Sequence, residues 1–241
     1  MIPEACLPPW AKAGLKCPYG HTYGGLIGTF TWPNQGVTWL TYVAAAYSTM
    51  PIVLIVGLLV LGVWTRGVRE LIALIFQIIC PLVMYLLKLA FRSPRPEGSC
   101  AKSCGMPSGH TIETIGSFTW LALEVYHTRT LEPRQKVLLM SVAGVCLLPS
   151  GWSRIYLHDH SLEQVWAGAL VGTTLAVAWY FLLTTRVARW LIKLLLACLP
   201  LKRNYPLDQI EEAPWAPVAP RSYGSAAKPG AEASEAEASA I

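Results

Sequence analysis

The chain has 241 residues, 54% of them hydrophobic and 14% charged, with a mean hydropathy of +0.42. That is too apolar for an ordinary soluble domain and too poor in charge for a disordered chain, so a single membrane-embedded domain is expected. The formal net charge of +5 is unevenly spread: residues 1–203 carry 17 basic against 8 acidic groups, and residues 204–241 carry 2 against 6. Because the cations flank apolar runs, a membrane surface or an anionic substrate fits better than nucleic acid.

In chain order, residues 1–36 read as an N-terminal non-cytosolic segment. It lacks the basic-then-apolar order of a cleavable signal peptide, so the first apolar run is expected to direct insertion. That run, Trp39 to Trp64, is long enough to cross a hydrocarbon layer of roughly 30 Å and has Trp at both ends. Leu71–Phe91 is a second span. Pro51 and Pro81 are expected to kink these helices, which a bundle tolerates. Thr111–His127 and Lys136–Trp152 are shorter spans, and Val165–Thr185 is a fifth, whose Gly168 and Gly172 suit close helix packing.

Arg186–Pro200 is short and basic and reads as an interfacial helix, with a sixth span as the alternative. Residues 204–241, rich in Pro, Ala, Ser and Glu, read as a disordered cytosolic tail. The expected architecture is an all-α polytopic transmembrane bundle of about five spans, formed by residues 37–203.

The polar residues that interrupt the spans carry the chemistry. Lys88 and Arg95 stand in "KLAFRSPRP", Ser108, Gly109 and His110 in "PSGH", and Arg154, His158 and His160 in "SRIYLHDH". Each stretch has a bland reading: a Lys that snorkels, a helix start, a capped connecting loop. Ser161 with Gln164 forms a capping box that needs no catalytic role for Gln164. Five spans, however, place the connections after the second and fourth on one side of the membrane. Three cations, a helix N-terminus and two histidines then meet in one pocket, which suits a phosphate group, a nucleophile and a proton donor. Nothing in the spacing supplies a metal cage, so metal-free chemistry without a cofactor is expected.

The three stretches, in this order, resemble the motif set of the type 2 phosphatidic acid phosphatase superfamily: Lys-x6-Arg-Pro, Pro-Ser-Gly-His and Ser-Arg-x5-His. The resemblance covers Lys88 to Gln164. It implies that Lys88, Arg95 and Arg154 bind phosphate oxygens with Ser108 and the Gly109 N–H, that His160 attacks phosphorus to form a phosphohistidine, and that His110 protonates the departing oxygen. Many members have Asp four residues after the nucleophile, where this chain has Gln164. A Gln carbonyl can fix the ring tautomer without adding charge, and Asp159 is the other candidate partner. Together with "YGGL", "SPRP" and "GMPSGH", the Gln makes the chain similar to the dolichyl-diphosphatase branch. The resemblance therefore implies hydrolysis of dolichyl (polyprenyl) diphosphate to the monophosphate and inorganic phosphate. The alternatives are a phosphatidate or lysophospholipid phosphatase of the same superfamily and, from another class, a non-catalytic anion-binding membrane protein.

Charge asymmetry gives the orientation. Ten cations flank the spans on the side away from the motifs and seven on the motif side, so the motifs face away from the cytosol, in the endoplasmic reticulum lumen. Cys6, Cys17, Cys100 and Cys104 then share the oxidising side, and a Cys100–Cys104 pair that braces the substrate loop is expected. Cys80, Cys146 and Cys198 read as packing residues. His21 and His127 read as bystanders. Glu113 and Glu124, near span ends, are expected to reach water.

Overall fold

The computed structural model describes residues 3–25, 28–128 and 131–198. The expected tail, 204–241, lies outside the described residues. Short helices open the chain: a 3-10 turn at Glu4–Cys6 and α1 at Pro9–Lys12. A hairpin follows, β1 (Gly20–Gly25) antiparallel to β2 (Gly28–Pro33), with Thr22 opposite Thr31 and Gly20 opposite Pro33. The bundle consists of α2 (Trp39–Ser48), α3 (Met50–Thr65), α4 (Val68–Phe91), α5 (Gly109–His127), α6 (Pro133–Leu147), α7 (Pro149–Tyr156), α8 (Leu162–Thr184) and α9 (Arg186–Cys198).

The structure is mostly helical and membrane-capable, as expected, and it adds detail at three spans. The first is broken: α2 and α3 meet at Thr49 with a bend of 46°. Pro51 has no N–H to give the preceding turn, so the helix cannot run straight through it. Pro81, by contrast, lies inside the unbroken α4. α6 and α7 together make one apolar stretch, Pro133–Tyr156; among the described residues it is one of three helices, with α4 and α8, long and apolar enough to cross a membrane, or four if the bent α2–α3 pair is one span, against the five expected.

α5, which the sequence reading counts as a span, is not among these helices: polar and acidic residues interrupt its apolar ones, and much of it is buried within the bundle. Ile112, Gly116 and Trp120 are buried along it together with Glu113 and Glu124. The two acids therefore do not reach water as expected: each is about 5–6% exposed, since neighbouring helices cover the ends of α5. Phe76 of α4 packs between Trp120 and Trp179, and Ile72, Ile112, Ala176 and Tyr180 complete the core.

α8 lies against α5 through glycine. A Cβ on Gly172 would stand 2.5 Å from the Ile112 carbonyl oxygen, and one on Gly168 would stand 2.6 Å from that of Ser108. Close backbone approach is therefore obligatory at this crossing. α9 begins after Thr185 and buries Ile192 in the core. Its 13 residues make it short for a span and leave Val187, Trp190 and Leu194 exposed.

The N-terminal segment departs most from expectation. It pairs Cys6 with Cys104 and Cys17 with Cys100, so the Cys100–Cys104 pair does not form. The arm lies over the loop after α4, and Trp10 of α1 sits 5.5 Å from the Lys102 ammonium. Each loop cysteine thus meets an arm cysteine rather than its own neighbour four positions away.

Two outcomes test this packing. Gly172→Val should lower the thermal unfolding midpoint in detergent by an amount equivalent to about 1–3 kcal/mol, whereas Gly57→Ala, where an added Cβ meets nothing within 4 Å, should leave it unchanged or slightly raised. Peptide mapping under non-reducing conditions should recover the Cys6–Cys104 and Cys17–Cys100 cross-links; a Cys100–Cys104 peptide would contradict the arm's course.

Candidate active site

α4 ends, α5 begins, α7 ends and α8 begins at one end of the bundle, so the three polar stretches meet there. α4 delivers Lys88 in its last turn and stops at Arg92, whose φ of 48° reverses the chain into the loop that carries Arg95. Ser108 caps α5 in extended geometry and is fully buried; its N–H donates to the Gln164 carbonyl at 3.0 Å, tying the start of α5 to the start of α8. The first N–H groups of α5, from Gly109 on, have no partner within their helix. Gly109 packs against Met84, whose side chain would have to shift if a Cβ were added. His110 follows in the first turn of α5.

Hydrogen bonds fix the tautomer of His160. Arg95 Nη1, which can only donate, lies 3.1 Å from His160 Nε2, so Nε2 is the acceptor and the ring proton is on Nδ1. Nδ1 donates to Gln164 Oε1 at 3.1 Å. The Gln164 amide is itself oriented, since its Nε2 donates to the Pro94 carbonyl at 2.7 Å. Gln164 Oε1 also lies 3.3 Å from the Ser161 N–H, and Ser161 Oγ accepts from the Gln164 N–H, which completes the capping box. Capping and ring orientation are thus done by one side chain. Gly105 makes room for it: a Cβ at 105 would stand 2.4 Å from Gln164 Nε2.

Two arginines surround the ring. Arg95 is held by the Ser103 carbonyl at 3.0 Å, the Ser103 hydroxyl at 2.9 Å and the Asp159 carbonyl at 2.7 Å. Arg154, fully buried, pairs through Nη2 with Asp159 Oδ2 at 2.9 Å and donates from the same nitrogen to the Thr29 carbonyl at 2.7 Å. Its Nε and Nη1 are buried without a partner. Burial, reinforced by the charges of Arg95, Arg154, Lys88 and His110, holds the His160 ring well below the ordinary imidazole range. Burial also pushes Arg95 down to about 10; Asp159 opposes the shift and Arg154 adds to it. The resting His160 is a neutral imidazole with its Nε2 lone pair among cations.

Asp159 does not orient the ring. Its carboxylate turns away to Arg154, Thr31 and Ser99, and Gln164 holds His160. Sequence reasoning missed the hairpin's part, although the Thr-Phe-Thr-Trp alternation of residues 29–32 was a strand signal. The other histidines stand apart. His158 is exposed, has a φ of 56°, and lines an open cavity of about 850 Å³ with Tyr19, Asn34 and Tyr156. His21 is exposed on β1, and His127 stacks on Tyr180 at the far end of α5.

Comparisons with known proteins bear on the family. The chain is 26% identical over 214 residues to the dolichyldiphosphatase of Saccharomyces cerevisiae, covering 78% of this chain and 87% of that one. It is 30% identical over 168 residues to dolichyldiphosphatase 1 of Mus musculus, covering 62% and 70%, and 29% identical over the same length to that of Homo sapiens. The crystal structure of a PAP2-type phosphatidylglycerolphosphate phosphatase from Bacillus subtilis superposes with a TM-score of 0.52 over 61% of this chain and 78% of its own, at 22% identity, which is a likeness of fold. Residues 66–188, about half of the chain and the part that brings these side chains together, match the PAP2 superfamily, and the chain belongs to it.

Proposed function

We propose that the chain is an integral membrane phosphatase that hydrolyses dolichyl (polyprenyl) diphosphate to the monophosphate and inorganic phosphate through a phosphohistidine at His160. The observation that carries this reading is the His160 ring itself: Nδ1–H is anchored on a neutral amide, and the Nε2 lone pair is aimed at the Arg95 guanidinium. Family membership and relatives named dolichyldiphosphatase support the substrate class.

In the first step the terminal phosphoryl group enters among Lys88, Arg95 and Arg154, with the Ser108 hydroxyl and the Gly109 N–H at its oxygens. The unpartnered Nε and Nη1 of Arg154 are the donors left to receive its oxygens. The entering phosphoryl oxygens take over the Arg95 Nη1–H donation and free the Nε2 lone pair; Nε2 then attacks phosphorus, the P–N bond forms, and the anhydride P–O bond breaks. His110 gives its proton to the departing lipid phosphate oxygen. The imidazole that carries phosphorus becomes cationic, and the Gln164 carbonyl keeps its Nδ1–H. In the second step His110 takes a proton from water, whose oxygen attacks phosphorus; the P–N bond breaks, inorganic phosphate leaves, and His160 is neutral again. Fixed donors at the equatorial oxygens and the division into two displacements lower the barrier without the protein contributing other covalent chemistry.

Gln164 favours a diphosphate over a monophosphate ester. A diphosphate carries more negative charge, and an Asp at this position would subtract from the field of Lys88, Arg95 and Arg154 that attracts it. The site end also holds both disulfides, which fits an oxidising compartment, the endoplasmic reticulum lumen, where a glycan carrier left as the diphosphate by N-glycosylation is recycled.

Purified protein in detergent with EDTA should release phosphate from a polyprenyl diphosphate in preference to phosphatidate. His160→Ala should abolish release, and His110→Ala should reduce it roughly 10²–10⁴-fold. Preference for phosphatidate would move the enzyme to glycerolipids, and full activity of His160→Ala would remove the phosphohistidine. The pH dependence follows from the depressed His160 pKa. The neutral, nucleophilic ring persists to well below pH 6.5, so the acid limb of kcat/KM should not lie at an ordinary imidazole pKa. Gln164→Glu places a carboxylate on Nδ1–H, stabilises the imidazolium and should move that limb towards neutrality. Substrate ionisation is common to both enzymes, so superimposable acid limbs would show that residue 164 does not control the ring.

A further inference from the structure

Thr31 is 128 positions from Asp159 in the chain, yet the two share two hydrogen bonds. The Thr31 N–H donates to Oδ2 at 2.9 Å and its hydroxyl donates to Oδ1 at 2.6 Å. The same hydroxyl accepts the Cys100 N–H at 3.0 Å, and Ser99 Oγ donates to Oδ1 at 3.2 Å. Asp159 is fully buried and Thr31 is 3% exposed. A carboxylate with these donors on both oxygens has one orientation.

That orientation fixes Arg154. Asp159 Oδ2 and the Thr29 carbonyl both take Nη2, which leaves the Nε and Nη1 donors on either side of it buried and without a partner. The Asp159 carbonyl takes Arg95 Nη1 as well, so a single residue holds both arginines that border His160. The two strand residues involved, Thr29 and Thr31, belong to β2, outside the matched family region of residues 66–188. The hairpin is attached to the same loop by the Cys17–Cys100 bond, next to the Cys100 N–H that binds Thr31.

We infer that Thr31 is a positioning residue of the phosphate site: through Asp159 it sets the angle at which Arg154 presents its free Nε and Nη1 donors to the transferring phosphoryl group. This rests on the phosphatase reading above. The effect belongs to the hydroxyl, because the backbone N–H bond and the strand pairing survive a change to the isosteric Val. Without the hydroxyl, Asp159 Oδ1 loses its shortest bond and the Cys100 N–H loses its acceptor; the carboxylate can then turn and carry Arg154 with it.

The test uses full-length wild type, Thr31→Val, Thr31→Ser, Arg154→Lys and the Thr31→Val/Arg154→Lys double variant, all purified in detergent with both disulfides verified. Steady-state phosphate release from a polyprenyl diphosphate and inhibition by orthovanadate are measured beside the thermal midpoint. Thr31→Val should lower kcat and weaken orthovanadate, each on the order of tenfold, the loss typical of one hydrogen bond to a charged group, with KM changing less. Thr31→Ser should restore both to within about twofold, because it returns the hydroxyl alone. In the Arg154→Lys background, where the guanidinium donors are already gone, Thr31→Val should cost little more, since residues that act through one another are not additive. A merely structural role would shift the midpoint and give equal losses in both backgrounds. Wild-type kcat in Thr31→Val, or additive losses, would overturn the inference while leaving the phosphatase intact. A wild type that neither releases phosphate nor binds orthovanadate would remove the phosphatase reading first and this one with it.

Discussion

The site end depends on keeping Lys88, Arg95 and Arg154 close together around two imidazoles in a buried place. Like charges so arranged repel, and each has lost water that would otherwise have screened it. The compensation is specific: Asp159 supplies the one carboxylate paired with Arg154, while the carbonyls of Thr29, Ser103 and Asp159 supply dipoles. Backbone carbonyls are free to point inward only where the chain is not using them in a helix. For this reason the compensating groups come from a loop, a turn and a strand, and those irregular segments need anchoring of their own. Two disulfides with sequence separations of 98 and 83 residues, and the Trp10–Lys102 contact, provide it. On this argument the N-terminal arm exists because the cation cluster does.

The helix packing serves the same end. Gly168 and Gly172 bring α8 against α5 at backbone distance, and the upper of the two contacts falls on the Ser108 carbonyl. The crossing that buries Ile112 and Ala176 therefore also sets the separation between the start of α5, with its free N–H groups, and His160, which precedes α8 by one residue beyond the Ser161 cap. A shift of either helix along the other would move the helix start relative to the ring.

Much of this was legible in the sequence because it depends on local order. Apolar runs gave the helices, the Gly pair gave the close crossing, the Ser161–Gln164 box gave the start of α8, and the count of spans put Lys88, Arg95, His110, Arg154 and His160 at one end, where the structure has them. What was not legible depends on contacts across long sequence separations. The arm's disulfides were assigned to neighbours because spacing carries no information about an arm that crosses the loop. Asp159 was weighed as a partner for the adjacent His160 because neighbours suggest each other; its carboxylate instead meets Arg154, Thr31 and Ser99, two of them far away in the chain. Glu113 and Glu124 were expected to reach water from span ends, but the bundle covers them because α5 is the inner helix.

Gln164 shows why a local motif and a catalytic one need not compete. Its carbonyl faces both the Ser161 N–H and His160 Nδ1 because the start of α8 brings these two donors to the same side, one a helix cap and the other a ring held immediately before it. An acid there could accept from both, yet it has no N–H for the Pro94 carbonyl, which the Gln164 amide meets at 2.7 Å. That third bond joins α8 to the segment that carries Arg95. A carboxylate would set two oxygens against each other at that distance and loosen the arginine that sits on the His160 Nε2. The neutral amide thus fixes the ring on one side and the guanidinium on the other, and the family's more usual acid would have to give up one of the two.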